Sequence, residues 1–539
     1  MSNISNIKLV SSLEKIYDND KIPEKALESF SMLRNEKKSF QVAVEAFDKG
    51  ETEIRLESNF SKVLVYSVEN VKSDFPMSEK DADDYYRFSK SGYYPDLLLP
   101  VSEKINLKKG INVFWLEVDG RDATVGFHQI DVTVENKTVS VDVEIIDAEL
   151  DFSDFVYTCW FHTDCLMSYY KFDAFSEEYW RVTENFLKTA CEYGMNCVLT
   201  PVFTPPLDTQ AGKERPTVQL VDVTVTKGKY SFNFDKLTRW IETAERCGIK
   251  YFEMSHLYTQ WGARHAPKIM ATVDGEYKRI FGWDTKANGK DYKNFLTAFA
   301  SEIRKYFESK GIQDRVFIHV SDEPNIQMLP QYSKASKHIH KIFKGYKIID
   351  ALSSYLYYMM KIVSNPVPAN DHIDNFLGKV DNLWTYYCSA QKNHCVSNRF
   401  FCNDSVRTRV MGYQLYKFGI KGFLHWGYNF YYTQLSKALI DPFKVTDAGG
   451  KFPSGDSFMV YPAPDGTAYH SLRLKVFYDG LQDMAALKAL ERLSDKKTCT
   501  DIIEENGKHC LTFRDYPHDN DWLLDTREKV NKSIKERLK

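Results

Sequence analysis

From about residue 150 onward the chain repeats one unit, in which an amphipathic helical stretch ends at a glycine and a short apolar run follows. The glycines that end these stretches are Gly194, Gly248, Gly311, Gly345 and Gly419. Glycine is favoured directly after a helix because it adopts the left-handed backbone conformation without a Cβ clash. Apolar runs that alternate with amphipathic helices predict a parallel sheet covered by helices.

Eight apolar runs from residue 155 onward are strand candidates: FVYTCWF, NCVLTPVF, KYFEMSHLY, RVFIHVSDE, KIIDALSS, DNLWTYYC, GFLHWGYN and FMVYPAP. Eight strand–helix units predict a (β/α)8 TIM-type barrel over residues 151–495. A doubly wound open sheet is the alternative, but no GxGxxG follows the first strand. Residues 496–539 are charged and end in a predicted helix, and we expect this extension to pack on the barrel.

The first 150 residues follow a different pattern, in which apolar and polar residues alternate over short segments. Examples are SFQVAVEAF, TEIRLES, KVLVYSVENV, INVFWLEVDG, HQIDVTVEN and TVSVDVEIIDAEL, separated by turn signals such as DKGE and ENKT. Short alternating strands at this spacing predict an antiparallel β-sandwich. The sequence therefore predicts a multidomain chain with a β-sandwich over 1–150, a catalytic barrel over 151–495 and an extension over 496–539.

Composition excludes several classes of protein. Charged residues make up 27% of the chain with a net charge of −3, and no basic block is present, so we do not expect nucleic-acid binding. No apolar stretch is long enough for a membrane span. The N-terminus lacks the apolar core of a secretory signal and the ten cysteines form no CxxC pair, so we expect a cytoplasmic protein with reduced thiols.

The stretch HVSDEP, residues 319–324, places two acids at the end of the fourth predicted strand. Active sites of these barrels lie at the carboxyl ends of the strands. Neighbouring side chains on a strand point to opposite faces, so Asp322 and Glu323 share a pocket only if the strand stops. Pro324 favours this end because it has no N–H for the sheet. The alternative is that the acids cap a helix that begins near Leu329.

Two acids that are adjacent in sequence favour one mechanism of glycoside hydrolysis over the usual one. The usual retaining or inverting pair lies on both sides of the scissile bond, on different elements. Two acids at one strand end approach the sugar from a similar side. They suit a reaction in which a 2-acetamido group of the substrate attacks the anomeric carbon, while one acid orients that group and the other protonates the leaving oxygen.

Aromatic and polar residues follow the other predicted strands and are typical of a sugar pocket, because sugars offer apolar C–H faces and many hydroxyls. Core packing is the alternative for any one of them. The candidate substrate-binding residues at these strand ends are Trp160, His162, Asp164, His256, Tyr258, Trp384, Tyr386, Tyr387, His425, Trp426, Tyr428 and Asn429.

Neither a metal nor a cofactor is predicted. His162, His256, His319 and His425 would converge in a barrel, but no HExxH and no clustered Cys/His spacing occurs. A serine nucleophile is not indicated either, because GxSxG is missing.

Five motifs carry a family resemblance: HVSDEP, KGFLHWGYNFY, DPF at 441–443, GDSFMVYPAP and SLRLKVFYDGLQD. In this order they resemble glycoside hydrolase family 123, which comprises β-N-acetylgalactosaminidases. The resemblance spans most of the chain and implies a β-sandwich followed by a (β/α)8 barrel. It also implies retention through an oxazoline intermediate. One departure is Tyr478, which stands where the family usually has an arginine before the DG of the last helix.

The resemblance assigns the two acids. Asp322 would orient and stabilise the 2-acetamido group, and Glu323 would be the general acid/base. The substrate would be a non-reducing terminal β-linked GalNAc, including that of glycosphingolipid glycans.

The residues themselves leave several assignments open. Tyr386 or Tyr387 is expected to bond the acetamido oxygen, and parity allows only one of them to face the barrel. Trp384 or Trp426 is expected to lie under the sugar ring. Candidates for hydroxyl contacts are Asp164, Asp441 and Asp456. Two other functions remain: a conventional glycosidase that pairs Glu323 with Asp164 or Asp441, and a sugar-binding barrel without catalysis.

Overall fold

The N-terminal part of the molecule is a β-sandwich. The computed structural model describes residues 3–78 and 80–538. Ten strands precede the barrel: β1 (Ile4–Ser11), β2 (Ser29–Leu33), β3 (Lys37–Ala46), β4 (Gly50–Ser58), β5 (Val63–Ser73), β6 (Gly92–Pro100), β7 (Lys104–Leu107), β8 (Gly110–Asp119), β9 (Gly126–Val134) and β10 (Lys137–Ile146).

The ten strands form two sheets with one apolar core between them. One sheet has the order β1-β3-β8-β5-β6 and the other β2-β10-β9-β4-β7. Their pairings are antiparallel except that of β2 with β10, which is parallel. Alternate residues of both sheets, among them Phe40, Leu116, Val132 and Val143, are buried in the common core. The predicted β-sandwich is therefore confirmed, with one parallel pair added.

The described residues after the sandwich form fourteen strands, eight of which build the barrel. They are β11 (Val156–Cys159), β12 (Cys197–Thr200), β13 (Asp222–Thr226), β14 (Lys229–Asn233), β15 (Tyr251–Met254), β16 (Ile269–Val273), β17 (Glu276–Phe281), β18 (Val316–Ile318), β19 (Lys347–Ala351), β20 (Asn365–Val367), β21 (Trp384–Tyr386), β22 (Gly422–His425), β23 (Tyr461–Pro462) and β24 (Ala468–Ser471).

The barrel strands pair in parallel and in chain order: β11, β12, β15, β18, β19, β20, β21 and β22, with β22 paired back to β11. The junction of β20 and β21 is a single bridge between Ala369 and Tyr386. The predicted eight-stranded parallel barrel is confirmed and is nearly closed. Strands β13, β14, β16 and β17 form a separate small sheet.

Eleven α-helices are formed by the described residues. They are α1 (Thr163–Tyr170), α2 (Glu177–Glu192), α3 (Asp235–Cys247), α4 (Lys290–Ser309), α5 (Leu329–Ile342), α6 (Leu356–Met359), α7 (Ser405–Arg409), α8 (Met411–Lys417), α9 (Leu472–Leu493), α10 (Lys496–Ile503) and α11 (Asn520–Arg537). Within residues 3–78 and 80–538, no helix combines the length and the apolar character needed to cross a membrane.

One predicted barrel strand is wrong. The sequence assigned FMVYPAP as the eighth strand, but its strand β23 pairs with β24, and β24 pairs with β6 of the sandwich. The sixth barrel strand is instead β20, whose sequence is NPV. This strand has three residues including a proline, and the helix before it has only four residues, so no periodic pattern marks it. DNLWTYYC and GFLHWGYN therefore contain the seventh and eighth strands.

Buried ion pairs join the sandwich to the helices that follow the barrel. Arg473 of α9 bonds Asp96 of β6 at 2.7 Å. Arg527 of α11 bonds Glu36 at 2.7 Å and Asp483 of α9 at 3.2 Å. Each of these side chains is at most 1% exposed. Removing one partner would leave a buried charge unpaired, so these pairs fix how the two parts meet.

The crossing of α8 and α9 gives a testable prediction about stability. A Cβ on Gly412 would overlap the carbonyl oxygen of Gly480, so the backbones touch there. We expect Gly412→Ala to lower the free energy of unfolding by about 3 kcal/mol, because the helices must move apart. Gly92→Ala is the matched control, since the nearest atom to its Cβ would lie 3.9 Å away. Urea unfolding of both variants measures the difference, and equal stability would contradict the close packing.

Candidate active site

A cavity opens at the carboxyl ends of the barrel strands. Five predicted site residues line it: Trp160, Asp322, Glu323, Tyr386 and Trp426. They come from the first, fourth, seventh and eighth barrel strands or from the loops that follow them. This is the end of a (β/α)8 barrel at which catalytic residues lie.

The end of the fourth strand explains how two adjacent acids reach one cavity. Beyond β18 the backbone still bonds both neighbours, since Trp261 N–H donates to the Asp322 carbonyl at 3.0 Å and Glu323 N–H donates to the Ala351 carbonyl at 3.1 Å. At Glu323 the backbone turns into the left-handed region, with φ 40°. A left-handed turn is uncommon for a residue other than glycine and costs energy. The turn lies at Glu323 itself, one residue before the proline that was predicted to end the strand.

The two carboxyl groups have different hydrogen-bond partners. Tyr386 donates its hydroxyl hydrogen to Glu323 Oε1 at 2.6 Å. The Asp322 carboxyl accepts no hydrogen bond from residues 3–78 or 80–538. Burial, and next the neighbouring Glu323 carboxylate, raise the pKa of Asp322 well above its ordinary value. Burial also raises the pKa of Glu323, and the hydrogen bond from Tyr386 opposes this rise.

Three buried ionisable side chains form the floor beneath the acids. His319 Nε2 bonds Glu253, and His319 Nδ1 lies 3.2 Å from Asp350 Oδ1. All three side chains are 0% exposed. Because carboxylates only accept hydrogen bonds, both ring nitrogens of His319 donate and the ring is an imidazolium. Burial alone would lower the pKa of His319, but the two carboxylates outweigh it and raise the pKa to about 9.

This floor is bonded directly to the cavity wall. Trp160 Nε1 donates to Glu253 Oε1 at 2.8 Å, and the Val320 N–H donates to Asp350 Oδ1 at 3.0 Å. Trp160 lines the cavity, and Val320 lies two residues before Asp322. The floor therefore fixes both an aromatic wall of the cavity and the strand that carries the acids.

His256 lies in this floor rather than in the cavity wall. Its ring stacks on His319 with centroids 4.2 Å apart, and neither of its nitrogens has a partner within the described ranges. His256, His319 and Asp350 are close enough to share a metal ion. Both nitrogens of His319 already bond carboxylates, so His319 has no nitrogen left for a metal ion. His256 itself does not line the cavity. The predicted substrate contact of His256 is therefore not retained.

The indole of Trp426 donates a hydrogen bond to a buried acid. Its Nε1 donates to Asp456 Oδ2 at 3.0 Å, and Asp456 is fully buried. Burial raises the pKa of Asp456 to about 7, although the nearby Arg399 opposes the rise. His162 Nε2 bonds the Trp426 carbonyl at 2.9 Å. Asp456 thus fixes the indole and His162 the backbone of Trp426, and neither residue lines the cavity, where the sequence predicted both.

Sequence reasoning missed several cavity residues, of which Asp208 is the most important. It lies in the loop after β12, and its Oδ2 accepts a hydrogen bond from Leu435 N–H at 2.8 Å. Burial raises the pKa of Asp208 to about 6. Its φ is 39° and that of Trp261 is 58°, so three cavity residues including Glu323 share the left-handed conformation. The other missed residues are Gln260, Cys388, Ser389, Gln434 and Phe452, with the apolar Leu207, Ala351 and Leu424.

The comparisons with known proteins agree with this site. The model of the glycoside hydrolase 123 catalytic domain matches residues 160–490, which is more than half of the chain. The chain belongs to glycoside hydrolase family 123. It is therefore a glycosidase, and the predicted family is confirmed.

One solved structure has the same fold over nearly the whole chain. A family 123 glycoside hydrolase from Clostridium perfringens, studied for glycolipid glycan hydrolysis, superposes with a TM-score of 0.75 at 16% identity and covers 98% of each chain. A family 5 mannosidase from Rhizomucor miehei gives a TM-score of 0.26 at 11% identity, with 75% of this chain and 96% of that chain covered. No curated protein matches this chain in sequence.

Asp164 has a structural place in this family 123 enzyme. Its carboxylate bonds Arg215 at 2.7 and 2.8 Å, with both side chains at most 2% exposed. Arg215 also donates to the Leu207 carbonyl at 3.2 Å, next to Asp208. The pair therefore holds the loop that brings Asp208 to the cavity, and Asp164 is not free to contact a sugar.

Four further predicted residues lie outside the family 123 cavity. Trp384 packs inside the barrel against Phe317, with ring centroids 5.0 Å apart. Tyr428 is buried and donates to the Phe186 carbonyl at 3.0 Å. Asp441 closes a turn by accepting the Phe443 N–H and pairs with Lys444. Substrate contact is no longer assigned to Trp384, Tyr428, Asp441 or Tyr387.

Parity on β21 separates the two tyrosines. Tyr386 faces the cavity, and Tyr387 points to the other side of the strand against Phe423 and His425. The departure at Tyr478 lies elsewhere: its ring packs on Tyr193, with centroids 5.5 Å apart. Tyr478 is therefore a packing residue remote from the acids.

The two tyrosines give a matched pair of variants. Tyr386→Phe removes the hydroxyl that donates to Glu323, and we expect glycosidase kcat/KM to fall by about 10- to 100-fold, the range for one hydrogen bond to a charged group. Tyr387→Phe removes a buried hydroxyl that has no partner within the described ranges, so kcat/KM should stay near the wild-type value. Steady-state kinetics on one nitrophenyl glycoside compares them. Equal losses in both variants would contradict the assignment.

Proposed function

We propose that this enzyme is a retaining exo-β-N-acetylgalactosaminidase that works by substrate assistance. The observation that carries the proposal is the pair of adjacent acids in one cavity, one of which has no hydrogen-bond donor from the described residues. An acid that accepts nothing from the described residues is available for a donor on the ligand. The N–H of a 2-acetamido group is such a donor.

The proposed reaction has two steps. In the first, Glu323 gives its proton to the glycosidic oxygen, the acetamido oxygen forms a bond to the anomeric carbon, and the bond to the leaving group breaks. Asp322 accepts the acetamido N–H and stabilises the positive charge of the oxazolinium ring. In the second step, Glu323 takes a proton from water, which attacks the anomeric carbon and opens the ring. Two inversions give net retention.

The cavity wall supports binding of a sugar ring. Trp160 and Trp426 offer flat apolar faces, and each indole is held by a buried carboxylate at 2.8 and 3.0 Å. The Tyr386 hydroxyl bonds Glu323 at 2.6 Å, and Tyr386 lines the same cavity as both acids. We assign it to the acetamido oxygen. The proposed substrates are glycans with a terminal β-GalNAc, and the glycolipid work on the Clostridium perfringens neighbour makes glycosphingolipid glycans the first to examine.

A screen of nitrophenyl glycosides tests the substrate class. We expect hydrolysis of the β-GalNAc compound, weaker hydrolysis of β-GlcNAc, and none of β-galactose, because galactose lacks the acetamido nucleophile. Activity unchanged by EDTA is expected as well. Release of nitrophenol is the measurement, and equal turnover of the β-galactoside would exclude substrate assistance.

Variants of the two acids test their roles. We expect Glu323→Gln to lower kcat by about 100- to 10,000-fold on poor leaving groups, which need protonation, and by less on nitrophenyl glycosides. Because Glu323 must be protonated to act and its pKa is raised, wild-type activity on poor leaving groups should persist above the ordinary carboxyl pKa of 4.5 and decline as pH rises through the raised value. Glu323→Gln should lose this alkaline decline.

Asp322→Asn should be severely impaired on acetamido sugars, while Asp441→Asn is the matched control, since Asp441 does not line the cavity.

A Glu323→Gln variant whose kcat falls by the same factor on all leaving groups would contradict the role of Glu323 as the general acid.

A second candidate function rests on Asp208. This acid lines the same cavity from the loop after β12, so it could act as the nucleophile of a conventional two-carboxylate glycosidase with Glu323. The earlier partners for such a mechanism, Asp164 and Asp441, are engaged elsewhere. Turnover of the β-galactoside that disappears in Asp208→Asn would favour this function.

A further inference from the structure

The two acids of the cavity differ in how readily each of them holds a proton. Burial and the neighbouring Glu323 charge both raise the pKa of Asp322, so ionisation of one acid opposes ionisation of the other and the pair favours a state with one proton and one negative charge. A carboxylate gains stability from each donor it accepts. Glu323 accepts the Tyr386 hydroxyl hydrogen at 2.6 Å and Asp322 accepts nothing from residues 3–78 or 80–538. In the free enzyme the charge therefore lies on Glu323 and the proton on Asp322.

The surrounding charges act on both acids. Asp322 feels the His319 cation, which favours its ionisation, but also the negative charges of Asp350 and Asp208, which oppose it. Glu323 feels the negative charges of Asp371 and Asp456, and Tyr386 is the group that donates to it. Burial raises the pKa of both acids, and that of Asp322 well above its ordinary value. The resting state is thus the reverse of the one the reaction needs.

An acetamido group carries the two functions that would exchange these states. Its N–H is a donor for Asp322, and its carbonyl oxygen is an acceptor for the Tyr386 hydroxyl. Tyrosine has one hydroxyl hydrogen, so it cannot donate fully to Glu323 and to the acetamido oxygen at once. Binding therefore adds a donor to Asp322 and removes one from Glu323.

We propose that an acetamido sugar, on binding, moves the shared proton from Asp322 to Glu323 and so produces the general acid only when the correct substrate is present. The O–H bond of Asp322 breaks and an O–H bond on Glu323 forms. The charge moves in the opposite direction and the pair keeps one proton. This rests on the proposed substrate assistance and makes Tyr386 a catalytic residue, since it bonds Glu323 before binding and the substrate afterwards.

The inference adds a second basis for specificity. A sugar without the acetamido group leaves Tyr386 on Glu323 and the proton on Asp322. Such a sugar lacks the nucleophile and also meets an ionised Glu323 that cannot protonate its leaving oxygen. The enzyme then discriminates through the state of its acid as well as through the nucleophile.

Infrared difference spectroscopy locates the proton directly, because only a protonated carboxyl shows the carboxylic acid C=O band. Enzyme with ¹³C in the aspartate carboxyls and enzyme with ¹³C in the glutamate carboxyls are compared with and without saturating GalNAc. We expect GalNAc to remove a band that shifts with aspartate labelling and to add one that shifts with glutamate labelling, in equal amounts. Asp322→Asn should lack the first band and Glu323→Gln the second.

Galactose is the matched ligand and Tyr387→Phe the matched variant. Galactose should leave both bands unchanged, and Tyr387→Phe should exchange them as the wild type does. Tyr386→Phe should show a smaller exchange, because its resting proton is no longer biased toward Asp322. The inference is overturned if the free enzyme already shows the glutamate band, or if GalNAc leaves the aspartate band in place.

The outcome is separable from that of the proposed function. Hydrolysis of the β-galactoside as fast as of β-GalNAc overturns substrate assistance and this inference together. Acetamido-dependent hydrolysis with an unchanged carboxyl spectrum overturns the inference alone.

Discussion

The bonds around His319 support the site that lies above them. One imidazolium joins carboxylates on the third and fifth barrel strands while itself following the fourth, so three neighbouring strands are tied at the depth where the cavity begins. The same carboxylate oxygens also accept hydrogen bonds from Trp160 and the Val320 backbone, and the remaining oxygens accept from Thr158 and Tyr332. Loss of any one member would leave an unpaired charge in the barrel interior, which is costly. The cavity wall, the strand end and the local electrostatics therefore depend on one connected group.

Above this floor, a strained backbone conformation sets the direction of three side chains that line the cavity. Glu323, Asp208 and Trp261 line the cavity, and each has the left-handed conformation that side chains other than glycine's adopt rarely. Each is held there by bonds from a neighbouring loop or strand, such as the Leu435 N–H on Asp208. The adjacent acids can differ in function because one left-handed residue lets them face the same space with different partners.

Much of this was accessible from the sequence, for physical reasons. The glycine-terminated helices and apolar runs report local backbone preferences, and they predicted the barrel; the DEP stretch at a strand end predicted the acids. Strand β20 was missed because three residues with a proline carry no period. Asp208 was missed because its position depends on the ion pair of Arg215 with Asp164, which are distant in sequence. The choice between Tyr386 and Tyr387 required the strand register, which the sequence alone leaves open.

The path of the chain after the barrel also limits how the protein can be divided. Strands β23 and β24 leave the barrel region and extend the sandwich sheet beside β6, so segments that precede and follow the barrel in sequence belong to one hydrogen-bonded sheet. A barrel separated from its N-terminal part would carry these two strands without their partner and expose an unpaired edge, which promotes aggregation. Cutting the chain between the two parts would therefore break a sheet that both of them build.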